Sequence, residues 1–89
     1  MTNRIDSFEI KMDELNEKPI EDEIIRRCGI GGISTSNLGN IGAPTEREVK
    51  FFGVKGSVTC WISINKMFKK EGYMVSVSNI VVSKKKGKL

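Results

Sequence analysis

Apolar and polar side chains alternate with a period of two through much of the C-terminal half of this 89-residue chain. In SVTCWISIN, residues 57–65, Val58, Cys60 and Ile62 fall on one side of the alternation, and Trp61 falls on the other. Such alternation predicts a strand with one buried face. The single tryptophan of the chain therefore lies on the polar face, where a large ring needs either a lid or a partner.

The segment EVKFFGV precedes this strand and is predicted to form a hairpin with it. Lys55-Gly56 is the predicted two-residue turn. This register places Lys50 opposite Trp61 and Phe52 opposite Thr59, and cross-strand partners share a face. The predicted buried face consists of Val49, Phe51, Val58, Cys60, Ile62 and Ile64.

One helix is predicted at residues 19–28. Pro19 suits a first turn, the acidic residues at 21–23 suit the positive end of the helix dipole, and Gly29 suits the end of the helix. The apolar positions form a narrow stripe that can cover one sheet face but not two. They are Ile20, Ile24, Ile25 and Cys28.

Two further strands flank these elements. In RIDSFEIKM the apolar residues alternate with polar ones, which predicts an N-terminal strand. YMVSVSNIVVS predicts the last strand, and its contiguous residues 80–82 indicate either a bulge near Asn79 or burial of both faces. The connection KMFKKEG, residues 66–72, predicts a single helical turn that ends at Gly72.

Five glycines mark residues 29–45 as a long loop, which leaves room for one short strand around Ile33. The loop follows a helix and matches neither of the glycine spacings of phosphate-binding loops. It is therefore predicted to be a mobile connector or a partner-binding loop. Ser34 and Asn37 are its candidate contact residues.

Together these elements predict an α+β domain over residues 1–83. The predicted order is β-α-β-β-β, with a mainly antiparallel sheet of about four strands and one short helix on one face. Residues 84–89 are predicted to be a flexible basic tail, because they are dense in lysine and almost without apolar residues.

The composition argues against catalysis and cofactor binding. The chain has no histidine to act as a base near neutral pH, and its two cysteines lack the spacing of a metal site. Cys28 and Cys60 are predicted to be reduced core thiols. No apolar run approaches the roughly 20 residues of a membrane span, so we expect a cytoplasmic protein.

Charge is divided unevenly along the chain. Residues 1–45 hold five basic and eight acidic side chains, whereas residues 46–89 hold ten basic and three acidic ones. Eleven lysines and eleven isoleucines against one alanine indicate AT-rich codons, which fits a low-GC bacterium or one of its phages. The leading hypothesis is therefore a small modulator or inhibitor that binds a host protein through the sheet face and the glycine-rich loop.

The alternative is binding of single-stranded DNA or RNA. Trp61 and Phe52 would stack on bases while nearby lysines contact phosphates. The candidate contact residues for either partner are Trp61, Phe52, Lys50, Thr59, Lys66, Lys69, Lys70, Ser34 and Asn37. Cover of the rings by the glycine-rich loop, or by a second copy of the chain in a homodimer, would leave no such surface.

The segment KMDELNEKPIEDEIIRRCGI resembles the DEL, P-I, RR and GI positions of AbrB-like transition-state regulators. That resemblance implies a dimeric DNA-binding regulator. It covers about twenty residues, with the spacing shifted by one, and Asn16, Glu17 and Lys18 replace the glycine turn and apolar strand of that family. The remainder of the chain does not follow the family pattern.

Overall fold

A twelve-residue helix lies across one face of a six-stranded antiparallel sheet in the computed structural model, which describes residues 2–85. The elements are β1 (Thr2–Ile5), β2 (Phe8–Met12), α1 (Glu17–Cys28), β3 (Ile33–Ser36), β4 (Thr45–Gly53), β5 (Gly56–Lys66) and β6 (Tyr73–Lys84). The single helix and the antiparallel sheet confirm the predicted α+β class. The predicted count of four strands is wrong, because short strands precede β2 and interrupt the glycine-rich loop.

Strand β6 organises the sheet. One of its edges pairs with β5, and the other pairs with β2 and β1 in succession, so that the order is β1/β2, β6, β5, β4, β3. A bulge interrupts β6 at Asn79, whose φ is 49°. Buried positions change there from Val75 and Val77 to Ile80 and Val82. The bulge that the sequence predicted near Asn79 is therefore confirmed.

The register of the β4–β5 hairpin differs from the prediction by two residues. Gly53 pairs with Gly56, so the turn is Val54-Lys55 rather than Lys55-Gly56. Lys50 consequently lies opposite Thr59, and Trp61 lies opposite Glu48. A shift of two residues keeps every side chain on its face. The predicted buried and exposed faces are thus correct although the predicted Lys50–Trp61 and Phe52–Thr59 pairs are wrong.

Glycine at position 53 is required by close packing at this turn. A Cβ added to Gly53 would lie 2.5 Å from the carbonyl oxygen of Ile30. The turn is also held from outside the hairpin, because the Val54 and Lys55 amides donate to the carbonyls of Gly32 and Ile30. The loop before β3 therefore fixes the hairpin end.

Helix α1 begins two residues earlier than predicted because Asn16 caps it. The Asn16 side-chain oxygen accepts a hydrogen bond from the Lys18 amide. Gly29 ends the helix in the left-handed conformation, as predicted. Ile20, Ile24 and Cys28 are buried. Within residues 2–85, no helix is long and apolar enough to cross a membrane.

The core lies between α1 and the inner face of the sheet. Its fully buried members include Phe51, Ile62 and Ile64, as predicted. The glycine-rich segment adds two residues that were not predicted, Ile30 and Leu38, which are 0% and 1% exposed. These two side chains anchor the segment on either side of β3, the short strand anticipated around Ile33.

The connection between β5 and β6 contains no helical turn, contrary to the prediction. Residues 67–72 form turns and bends, and Lys69 has a φ of 60°. At the opposite end of β6, Lys84 is the last strand residue and the Lys85 amide donates to Lys55. The rest of the predicted basic tail, residues 86–89, lies outside the described residues.

Candidate functional site

The sheet face opposite α1, here called the outer face, has no element packed on it among residues 2–85. The strand registers assign its members, because paired residues share a face. On the described strands these are Arg4, Glu9, Lys11, Thr35, Glu46, Glu48, Lys50, Phe52, Ser57, Thr59, Trp61, Ser63, Asn65, Met74, Ser76, Ser78, Val81 and Ser83. Most are polar, and two are aromatic.

Trp61 occupies the middle of the outer face with 38% of its surface exposed. Its cross-strand neighbours are Glu48 on β4 and Ser78 on β6. The indole therefore has an acidic neighbour rather than the lysine that the sequence predicted. Exposed tryptophan in the centre of a polar face is a common feature of binding surfaces.

Two charged rows flank Trp61 on the outer face. One row runs from Lys50 through Thr59 and Val81 to Arg4, and it is basic at both ends. The other runs from Glu46 through Ser63 and Ser76 to Glu9, and it is acidic at both ends. Each row lies about 7 Å from the tryptophan row, given the rise of a strand. Trp61 is thus the centre of a face with a basic side and an acidic side.

Phe52 is separated from Trp61 along the sheet. It lies opposite Ser57, four residues before Trp61 on β5, which corresponds to about 13 Å. Phe52 is 45% exposed. It lines a shallow depression of about 310 Å³ together with Ser34, Ser57, Ser83 and Lys84, among others. The two aromatic rings therefore form two contact points rather than one continuous stack.

The predicted lysines do not gather around Trp61. Lys50 lies on the outer face, whereas Lys66, Lys69 and Lys70 lie at the β5–β6 connection, the far end of the hairpin. They are close in sequence to Phe68, which is 84% exposed, and the Lys69 Nζ lies 5.3 Å from the centre of its ring. Lys66 and Lys70 line a shallow depression together with Asp13 and Glu71. We call Lys66, Phe68, Lys69 and Lys70 the basic tip.

The predicted contact residues of the glycine-rich segment are both bonded to β4. The Ser34 hydroxyl donates to the Phe52 carbonyl at 3.0 Å. The Asn37 side-chain oxygen accepts from the Lys50 amide at 2.6 Å, and the Asn37 amide donates to the Lys50 carbonyl. These bonds fix the segment against the edge of β4. Trp61 and Phe52 remain exposed, so the segment does not form a lid over them.

The two cysteines lie in the core, Cys28 on α1 and Cys60 on the inner face of the sheet, and they are buried and not bonded to each other, as predicted. Burial, with smaller contributions from the neighbouring Cys28 and Glu48, raises the pKa of the Cys60 thiol to about 12. A thiol in this state is a poor nucleophile near neutral pH. Within residues 2–85, no group of three potential metal ligands lies close together.

Two residues of the candidate surfaces were missed in the sequence. Glu48 was missed because the predicted register was shifted by two residues, and only the correct turn places it beside Trp61. Phe68 was missed because the sequence predicted it as part of a helical turn and not as a contact residue. Its position between lysines, in KMFKK, was the available signal that it is solvent-exposed.

The chain has no detectable similarity to known proteins in three comparisons. No family model matches it, no curated protein matches it, and no solved structure matches it.

Proposed function

We propose that this protein is a non-enzymatic binding module that engages a partner protein through its outer face, with Trp61 at the centre of the contact. Phe52 is a second anchor near one end of the face. Tryptophan is enriched among the residues that contribute most to protein interfaces. The proposal follows the leading hypothesis from the sequence, with the glycine-rich segment now a rigid border of the face.

The observation that carries this proposal is the position of Trp61 between a basic row and an acidic row. A surface that stacks nucleic-acid bases needs cations close to its rings, because each phosphate is negative. The charged cross-strand neighbour of Trp61 is instead Glu48, and its other neighbour is Ser78. A partner with its own acidic and basic patches complements this arrangement, and such complementarity sets orientation and rejects wrong partners.

The composition narrows the class of partner. AT-rich codon usage in a small chain fits a phage or mobile-element protein that acts on the machinery of its host. A host protein or complex is therefore the proposed target. Blocking a surface of that target requires contacts and no catalytic residues. The absence of histidine, the usual base near neutral pH, from the sequence agrees with this.

The proposal is tested by capture from a host lysate with the wild-type protein and with Trp61→Ala, each with and without nuclease. We expect a nuclease-resistant partner that is retained by the wild type and lost with Trp61→Ala. Phe68→Ala is the matched control, because it removes an exposed aromatic ring from outside the outer face. Loss of the captured material on nuclease treatment, or equal capture by Trp61→Ala, would contradict the proposal.

A second candidate function, binding of single-stranded nucleic acid, is favoured by the basic tip. Phe68 is exposed among three lysines, which is the combination that stacks a base and neutralises phosphates. Titration with single-stranded DNA and RNA at about 0.15 M salt measures this activity. Binding that is lost with Phe68→Ala and retained by Trp61→Ala would assign nucleic-acid binding to the tip. Saturable quenching of Trp61 fluorescence would instead assign nucleic-acid binding to the outer face and contradict the main proposal.

A further inference from the structure

The free edge of β2 has a sequence that is complementary to itself. Strand β2, FEIKM, pairs with β6 along one side. Among the described residues, its backbone groups on the other side have no backbone partner. An unpaired strand edge can accept a strand from another chain, and natural proteins either block such edges or use them.

Two copies of β2 match each other when they run antiparallel about a two-fold axis at Ile10. In this register Glu9 of each copy lies opposite Lys11 of the other, so that two opposite-charge pairs form on the outer face. On the inner face Ile10 lies opposite Ile10. Phe8 and Met12 are already buried in the core of the single chain, and Arg27 lies over the Phe8 ring, so Ile10 is the inner-face side chain that a second copy would cover. The two charged positions and the central Ile10 therefore meet suitable partners.

Neighbouring registers are less favourable. A slip of one residue would bring apolar residues opposite charged ones and exchange the two faces. A slip of two residues would place Glu9 opposite Glu9, or Lys11 opposite Lys11, and like charges directly opposite each other are destabilising. The same sequence thus specifies one pairing and disfavours the others.

We propose that β2 pairs with β2 of a second copy of this chain, with Glu9 opposite Lys11, to give an isologous homodimer with one continuous antiparallel sheet. The two outer faces then lie on the same side of that sheet. Ile10, which is half-buried in the single chain, becomes covered by its counterpart. A contact five residues long is small, so we expect a dimer that dissociates on dilution in the micromolar range.

Charge reversal at the two polar positions tests the dimer. Sedimentation velocity of the full chain between about 10 μM and 1 mM should show a concentration-dependent dimer for the wild type. Lys11→Glu and Glu9→Lys each replace two attractive pairs by two repulsive ones, and each should weaken association about tenfold or more. Lys50→Glu is the matched control, because it makes the same charge change on the outer face away from the edge.

Mixing the two single variants distinguishes this register from general charge effects. Chains with Lys11→Glu carry two glutamates on the edge, and chains with Glu9→Lys carry two lysines. An equimolar mixture should therefore form heterodimers although neither variant self-associates, and the double exchange of Glu9→Lys with Lys11→Glu should restore the homodimer. A wild type that stays monomeric up to 1 mM, or a mixture that stays monomeric, would overturn the proposal.

A cysteine at the two-fold axis provides a second readout that detects weak association. Ile10→Cys should form an intermolecular disulfide under mild oxidation, because the two Cβ atoms of an antiparallel pair lie about 5 Å apart. Glu9→Cys is the control, since its counterpart lies two residues away along the partner strand. Equal cross-linking of the two variants would contradict the register. Trp61→Ala should leave dimerisation unchanged, so this test and the test of the binding face are independent.

Discussion

The inner and outer faces of the sheet are built from alternate residues of the same strands, yet they differ in what they require. On β5, Ile62 is 1% exposed beneath α1, while Trp61, one residue earlier, is 38% exposed. The inner face must exclude water and fill space, so nearly every apolar residue that α1 covers serves stability. The outer face has no such constraint among residues 2–85.

This difference teaches where to look for function in a small sheet protein. Large apolar side chains on the inner face need no explanation beyond the core. A tryptophan on the uncovered face does need one, because its burial is incomplete and its cross-strand neighbours, Glu48 and Ser78, are polar. The predictions that follow test whether stability and binding are divided between the faces in this way.

The largest effect is expected at the inner face. Ile62→Ala should lower the free energy of unfolding by about 2 to 5 kcal/mol, because it removes a fully buried side chain and leaves a cavity under α1. For a small domain this is a large part of the total stability. Chemical denaturation followed by circular dichroism measures the change.

Ser63→Ala is the control for this substitution, since Ser63 is the next residue along β5 and lies on the outer face. It should change the free energy of unfolding by no more than about 0.5 kcal/mol. Equal losses from Ile62→Ala and Ser63→Ala would show that the two faces do not differ in their contribution to stability.

The faces could be predicted from the sequence because alternation has a period of two. The predicted hairpin register was shifted by two residues, yet Phe51 and Ile62 were still assigned to the core and Trp61 to the outer face. The neighbours of Trp61 could not be predicted in the same way. They depend on which two residues form the turn, and in Gly53-Val54-Lys55-Gly56 the pattern allows both Lys55-Gly56 and the observed Val54-Lys55.

The glycine-rich segment was the least predictable part of the fold. Its glycines and serines indicated an irregular loop, and that pattern contains no sign that Ile30 and Leu38 reach the core. Those contacts involve residues that are distant in sequence, such as Gly53 against Ile30. The positions of the predicted lysines also depend on contacts between residues that are distant in sequence. Of these lysines, only Lys50 lies on the outer face.

A smaller effect on stability is expected at the centre of the outer face. Trp61→Ala should lower the free energy of unfolding by less than about 1 kcal/mol, because the ring loses cross-strand contacts without opening a cavity in the core. Circular dichroism is the required measurement, since this change removes the only tryptophan and its fluorescence. A loss as large as that of Ile62→Ala would show that Trp61 serves the fold rather than binding.

The smallest effect is expected on the solvent side of α1, where Glu23 accepts hydrogen bonds from Arg26 and Arg27. These bonds, with that from Arg26 the stronger cause, lower the pKa of Glu23 from 4.5 to about 2. A carboxyl whose pKa is lower in the folded state stabilises the fold above its unfolded pKa. This contribution is lost as the pH falls from about 4.5 through 2. Because the cluster is exposed, its contribution is small.

Thermal unfolding of Glu23→Gln and of the wild type across this pH range tests that expectation. The variant should unfold at a slightly lower temperature at pH 7, and the difference should disappear near pH 2, where the wild-type carboxyl is also protonated. Glu21→Gln removes a carboxylate from the same helix outside this cluster and is the matched control. A difference at pH 7 that persists below pH 2 would show that Glu23 acts through packing rather than charge. The polar surface of α1 would then stabilise the fold through packing, which is expected only of the inner face.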